Sequence, residues 1–272
     1  MTALRALLLT VAVTASLSAC NRRDREPAAD APLPAAEAPA EITPADAAAP
    51  MNFATTSPYA AVKLTLPNAL KAQTDLHARL YADEVRLLRQ FVEGAQADRS
   101  EAGDDPSIPP YEKTITLTAA AETGKLVSLR RDMSEYSGGA HPNTTARGVL
   151  WDKALKQVIG SGQLFRRGAD MSLLDQALCA AVNTARARRV PGAPPLTLAG
   201  GGEWTCPRAA ATPFVLAPGT VDGKAGGLTF LIDPYKVGPY AEGSYAVTVP
   251  LTTFRTLLAG AYADEFAGQP AN

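Results

Sequence analysis

Two histidines and three cysteines are the scarcest reactive side chains in this 272-residue sequence, and their neighbours limit what they can do. His141 sits in Tyr136-Ser137-Gly138-Gly139-Ala140-His141-Pro142-Asn143. Paired glycines permit positive φ and close backbone approach, Pro142 sets φ, and Asn143 can bond its own backbone, so this segment is a turn in any reading. His141 then either organises the turn or faces a ligand, with Tyr136, Gly138, Gly139 and Asn143 completing a recognition rim. Tyr235 and Tyr240 flank Val237-Gly238-Pro239 between two β-prone runs. They serve either as loop packing or as two amphipathic rings on a contact surface, as tyrosines do at interfaces. His77 falls on an apolar helix stripe and reads as a partly buried core histidine.

A metal hydrolase needs several His or carboxylate ligands at fixed spacing, and neither histidine lies in such a pattern. Asp132 and Glu135 are the carboxylates near His141 that could complete a site. Gly160-Ser161-Gly162 lacks the third glycine of a dinucleotide loop and reads as a turn. The sequence has no Gly-x-Ser-x-Gly elbow, no P-loop and no Cys-x-x-Cys. No catalytic residue, metal or cofactor is therefore expected.

Cys20 has a different chemistry. Arg5 supplies a positive start, Ala6 to Leu17 is an apolar run of 12 residues, and Leu17-Ser18-Ala19-Cys20 looks like a lipobox. The run is too short to stay across a bilayer of about 30 Å, which takes roughly 20 residues. Residues 1–19 are expected to be an export signal, and the Cys20 thiol to accept diacylglycerol. Asn21, where inner-membrane retention favours Asp, resembles outer-membrane sorting, with the protein facing the periplasm. In that oxidising space Cys179 and Cys206 are expected to close a disulfide. A loop of roughly 28 residues would contribute about 3.5 kcal/mol in the chain-entropy model.

Residues 20–56 form the expected tether. From Asn21 onward the stretch holds 12 Ala and six Pro, with no usable apolar period. Such a segment cannot repay its ordering entropy, and at a polyproline rise it reaches at most ~110 Å. The whole chain carries 26 Lys+Arg against 27 Asp+Glu and is 46% hydrophobic. That composition supports a core and argues against a nucleic-acid binder, which needs a basic face. It gives no electrostatic attraction toward a basic protein either.

Periodicity orders the rest. Tyr59 to Leu66 alternates as a strand, and Pro67-Asn68 starts a long helix. Leu76, Leu80, Leu87 and Phe91 make one stripe, Tyr81, Val85, Leu88 and Val92 the next, with Asp83, Glu84 and Arg86 outside them. The polar, breaker-rich stretch from Gly94 to Pro110 ends that helix in the nineties. Tyr111 to Ala119 and Leu126 to Tyr136 pair as a hairpin through Thr123-Gly124-Lys125, and Ala146 to Trp151 follows. Ser172 opens a helix with Asp175 three residues on, a capping-box pattern. Pro213 to Leu216, Gly227 to Ile232 and Tyr245 to Val249 are short strands, and Thr252 or Thr253 caps a last helix. The expected class is α+β: two lobes of antiparallel sheet, 57–150 with the long helix and 151–272 with two helices.

The second half carries a family resemblance. The Tyr136 to Asn143 segment is followed by Trp151-Asp152, Gln163-Leu164-Phe165, Phe230-Leu231-Ile232-Asp233-Pro234-Tyr235, Gly238-Pro239-Tyr240-Ala241-Glu242-Gly243 and Val247 to Pro250. Together these elements resemble the paired extracytoplasmic domains of unknown function in lysozyme-sensing anti-sigma factors of the RsiV type. The same pair lies beside the catalytic domain of PdaC-type peptidoglycan deacetylases. Tyr59 to Ala97 is similar to the first member of the pair. The resemblance implies a binding or sensing module of the cell envelope, in some cases with lysozyme as ligand. Without a cytoplasmic segment and a following membrane helix, or an additional deacetylase domain, neither protein's output is expected here. The expectation is a noncatalytic module, lipid-anchored to the membrane, whose partner is peptidoglycan, another glycan or a lysozyme-like protein. Inhibition of a hydrolase, or action on peptidoglycan through an unrecognised site, are the alternatives.

Overall fold

The computed structural model describes residues 50–103 and 108–271. All of them fall within one compact unit, Ile42–Asn272. Cys20 and most of the expected tether lie outside the described residues.

Six strands form the larger sheet in sequence order: β1 (Asn52–Thr56), β2 (Ala60–Thr65), β3 (Tyr111–Glu122), β4 (Leu126–Tyr136), β5 (Asn143–Asp152) and β6 (Gln157–Ile159). A 28-residue helix, α1 (Thr74–Glu101), connects β2 to β3. Those two strands pair in parallel, Leu64 opposite Ile115, while every other pair in the sheet is antiparallel. The parallel pair departs from the expected all-antiparallel sheets. Its cause is the connection: a long crossover helix returns the chain to the end of the sheet from which it left.

Helix α1 lies on one face, where Leu76, Leu80 and Leu88 meet Leu64, Ile115, Leu117, Leu129 and Trp151. It runs past Gly94 to Glu101 because Ala95 and Arg99 still face protein. The Arg99 guanidinium donates to the Ile108 and Pro109 carbonyls at 2.8 and 3.2 Å. Glu84, expected at the surface, is buried because Arg131 of β4 rises from the sheet to meet it at 2.5 and 2.8 Å.

The second sheet contains β7 (Phe214–Pro218), β8 (Ala225–Ile232) and β9 (Tyr245–Pro250), antiparallel throughout. Helix α2 (Ser161–Leu164) is a single turn, and α3 (Ser172–Arg189) packs Leu174, Leu178 and Val182 against Phe230, Val247 and Val249. The other face of this sheet meets β3–β5, with Leu231 and Val215 against Ala146. The layers therefore run α1, large sheet, small sheet, α3. Gly148 permits the stacking, since a Cβ there would run into the Phe214 carbonyl.

Four further expectations change. The spacer gives way at Asn52, because β1 pairs with β2 from Asn52↔Thr65 to Thr56↔Ala61. The expected lobe boundary at 150/151 falls inside β5. The C-terminal core takes Leu126, Leu150 and Ile159 from the large sheet, so the strands serve both cores. At α3 no Ser172–Asp175 box forms: Met171 is the N-cap without a side-chain cap bond, and Asp170, one residue earlier, accepts at Oδ1 from Ser172 N and Oγ at 2.9 and 2.5 Å. Asp175 turns inward and accepts Ala209 N–H. The last helix begins at Leu251, with Pro250 rather than Thr252 or Thr253 as its N-cap, and is broken into α4 (Leu251–Phe254), a 3-10 turn and α5 (Gly260–Ala263). Phe254 and Tyr262 face the core from separate turns.

Candidate functional site

Two loops more than 90 residues apart in the sequence meet at one end of the layers. The β4–β5 loop carries Gly138 and Gly139 at φ 94° and 97°, the left-handed region that glycine enters without a Cβ penalty. Tyr136 donates to the Gly139 carbonyl at 3.3 Å and closes this turn. The β8–β9 loop brings Tyr235 and Tyr240 over it. The His141 ring stacks on Tyr240, centroids 3.6 Å apart and planes 12° from parallel. Tyr235 closes the trio at 5.5 Å from Tyr240, with its hydroxyl 3.4 Å from His141 Nε2. Tyr240 donates to the Pro142 carbonyl at 2.8 Å, tying one loop to the other. The same carbonyl lies 3.1 Å from His141 Nδ1. A carbonyl can only accept, so that contact places the proton on Nδ1 and leaves Nε2 of a neutral ring to accept from Tyr235. His141 thus organises the turn and also presents its ring to the other loop.

Tyr235 is 55% exposed and holds φ at +64°, which costs a non-glycine residue about 1–3 kcal/mol. Buried groups beneath it support the loop. Glu242 accepts from Arg186 Nε and Nη2 at 3.0 and 2.8 Å and from the Tyr245 hydroxyl at 2.7 Å. The Arg186 guanidinium holds the Glu242 carboxyl below its ordinary range against the opposing effect of burial. Burial, with the Glu242 bond, pushes the Tyr245 phenol up. Gly238 is required where the backbone passes the Glu242 carboxylate, because a Cβ there would overlap it.

A groove of about 280 Å³ lies on the face of the large sheet away from α1; its lining includes Asp233, two residues before Tyr235, but none of the rings themselves. The strand alternation that points Ile115 and Leu117 inward points Thr114 and Thr116 into this groove, with Ser134 and Thr144 beside them. Arg130 lies along the floor with Asp132, Nε to both carboxylate oxygens at 2.9 and 2.8 Å. Asp233 and Ser244, at the two ends of the ring loop, form its wall. Asp233 accepts Ala146 N–H and Arg147 Nη1, each at 2.7 Å, and so pins the ring loop to β5.

The structure thus unites Tyr136, Gly138, Gly139, His141, Tyr235 and Tyr240. Asn143 opens β5 opposite Glu135, and among the described residues no side-chain hydrogen bond joins it to the rings. Of the two carboxylates near His141, Asp132 is held by Arg130 and Glu135 by Lys113 at 2.6 Å. His77 is buried, its Nε2 3.4 Å from the Pro50 carbonyl. Cys179 and Cys206 form the expected disulfide, Cα atoms 5.2 Å apart. Sequence reasoning did not place Arg130 or Asp233 at a site; their signal was a charge at an outward strand position and an Asp-Pro at a strand end. Among the described residues no group of three or more His, Cys, Asp or Glu is placed to hold a metal. Nor, among them, is any helix long and apolar enough to cross a membrane.

These features define an α+β domain with a hydroxyl-lined groove and a separate cluster of aromatic rings on the loops that Asp233 and Thr144 adjoin. Residues 54–144 match the family model described as Deacetylase PdaC, about one-third of the chain, so this region is PdaC-like. The match contains the Tyr136 to Asn143 segment and stops before Tyr235 and Tyr240. No curated protein matches the chain. Solved structures similar to it include two DUF3298 proteins. One is a DUF3298 family member from Bacteroides fragilis, 18% identical over 76% of this chain and 88% of that one, with TM-score 0.48. The other is a DUF3298 family protein from Pseudomonas aeruginosa, 13% identical over 80% and 94%, with TM-score 0.47.

Proposed function

We propose that this protein is an extracytoplasmic binding module that holds an envelope glycan in the groove beside Tyr235, Tyr240 and His141, without transforming it. The observation that carries this reading is the ring cluster. Two loops distant in sequence converge on it, and Tyr235 is kept exposed at an unfavourable φ. Strain of that kind concentrates at ligand clamps. A sugar suits the surroundings, because an exposed tyrosine offers an apolar face with a polar edge and the groove floor offers hydroxyls. The Leu17-Ser18-Ala19-Cys20 pattern supports export and a lipid anchor, with the Ala/Pro-rich stretch as reach from the membrane.

Calorimetry of the full chain with soluble peptidoglycan-derived disaccharides tests the site. Tyr235→Ala should weaken binding about tenfold, the scale of an aromatic contact, while leaving the melting temperature within a few degrees. Equal affinity in the variant would remove Tyr235 and its ring cluster from the binding surface. Palmitate labelling that marks the parent and not Cys20→Ser tests the anchor. The inhibitor reading predicts instead that a stoichiometric amount slows a lysozyme, which glycan binding alone does not require.

A further inference from the structure

On the far side of Asp233 from the groove is a second cleft, of about 340 Å³, whose chemistry is different. Its floor is apolar, with Leu231, Pro207 and Pro213, and its rim carries Arg147, Arg208 and Lys236. Two of these cations are already matched. Arg147 pairs with Asp233 at 2.7 Å and Arg208 with Asp175 at 3.1 Å. Each of those carboxylates also accepts a buried backbone N–H, from Ala146 and Ala209. Lys236 has no carboxylate within ion-pair distance among the described residues. The rim therefore has an uncompensated positive charge over an apolar floor. Arg147 and Arg208 remain about half exposed, so their outer edges are open to a further acceptor.

We infer that this cleft takes a carboxylate on a small aliphatic body, and that the full ligand is a glycan bearing a short acidic peptide. The peptide part of this inference rests on the glycan reading above. Turn geometry links the two. Lys236 N–H donates to the Asp233 carbonyl at 3.3 Å, so Asp233 to Lys236 is one tight turn. Asp233 lines both hollows, and Tyr235 and Lys236 follow each other on that turn. One ligand can place a sugar on the Tyr235 side and reach the cations with an appended peptide. The apolar floor accommodates short aliphatic side chains, and Lys236 supplies the charge-assisted contact to the carboxylate.

Three probes with the full chain separate the parts: an N-acetylated disaccharide carrying a short peptide with free carboxylates, the same compound amidated, and the disaccharide alone. Amidation should weaken binding about tenfold at low salt, and the gap should narrow as salt rises. Lys236→Gln should erase most of that gap without changing affinity for the amidated compound. Lys236 is exposed and makes no side-chain ion pair, so its variant is expected to fold; an unchanged melting curve checks this. Free and amidated compounds binding equally, with the disaccharide still bound, would overturn the cleft and leave the glycan reading standing. Lys236-dependent binding of the free acid that ignores Tyr235→Ala would keep the cleft and remove the groove. Binding of none of the three would overturn both.

Discussion

The two faces of the large sheet use the same kind of ion pair in opposite ways. Arg131 meets Glu84 under α1, where both side chains are almost wholly enclosed. One residue earlier on β4, Arg130 meets Asp132 on the groove floor, where both remain in contact with water. Adjacent strand residues point to opposite faces, so a single step along β4 carries a guanidinium from a packed core to an open surface. On the covered face, the pair's charges are stranded if either partner is lost. On the open face water can replace either one. The lesson is that pairing alone says little about importance; what covers the pair decides whether it holds the fold or stays exchangeable with water.

The sharpest way to break that contrast is Glu84→Ala. It leaves Arg131 buried without its carboxylate and should cost about 3–5 kcal/mol in chemical denaturation. Reducing the Cys179–Cys206 bridge should come next, at about 3.5 kcal/mol, seen as a lower melting temperature with added thiol. That bridge ties α3 to the loop following it, in the outer layer behind the small sheet, so groove chemistry should be touched only indirectly. Asp132→Asn should cost under about 1 kcal/mol, since its partner Arg130 stays hydrated. Groove affinity should nonetheless change, which separates binding from stability on the open face. A stability loss for Asp132→Asn as large as that for Glu84→Ala would erase the contrast.

Acid gives a graded version of the same comparison. Glu242 has a folded pKa held below its ordinary 4.5, first by the Arg186 bond. A depressed carboxyl contributes stability that is full above the unfolded value and declines as pH falls through the folded one. Stability and ring-loop order should therefore hold above about pH 5 and weaken together below 4.5. Glu242→Gln should flatten that acid dependence while lowering stability at neutral pH. At the alkaline end, burial and the Asp152 bond push Tyr262 up to about 12. Its phenol should keep its contribution below the ordinary 10 and lose it as pH rises through 12, readable by ultraviolet titration.

Much of the fold was legible in local patterns. Alternation located β2, β4, β8 and β9 within a residue or two, and the leucine spacing located α1. The misses share a cause. Glu84 looked like surface because its partner Arg131 lies 47 positions away. Gly94 read as a stop because the sequence does not reveal that Ala95 and Arg99 still face protein. Asp175 read as a cap because its receiver, Ala209 N–H, is supplied by a later loop. The turn at Gly138-Gly139 was readable by residue type, but its meeting with Tyr240 was not.

Local residue chemistry by itself determined the turns, the amphipathic helices, the polar alternation that makes a hydroxyl floor, and the cysteine pair available for bridging. Only the tertiary structure decided that β2 and β3 run parallel, that β7 crosses at Gly148 and leaves the remaining sheet face open, and that His141 stacks on Tyr240. Torsional preference and periodicity act over a few residues and are written in adjacent letters. Coverage of a face and convergence of two loops depend on how whole layers pack, and that is set by core contacts between residues far apart in the chain.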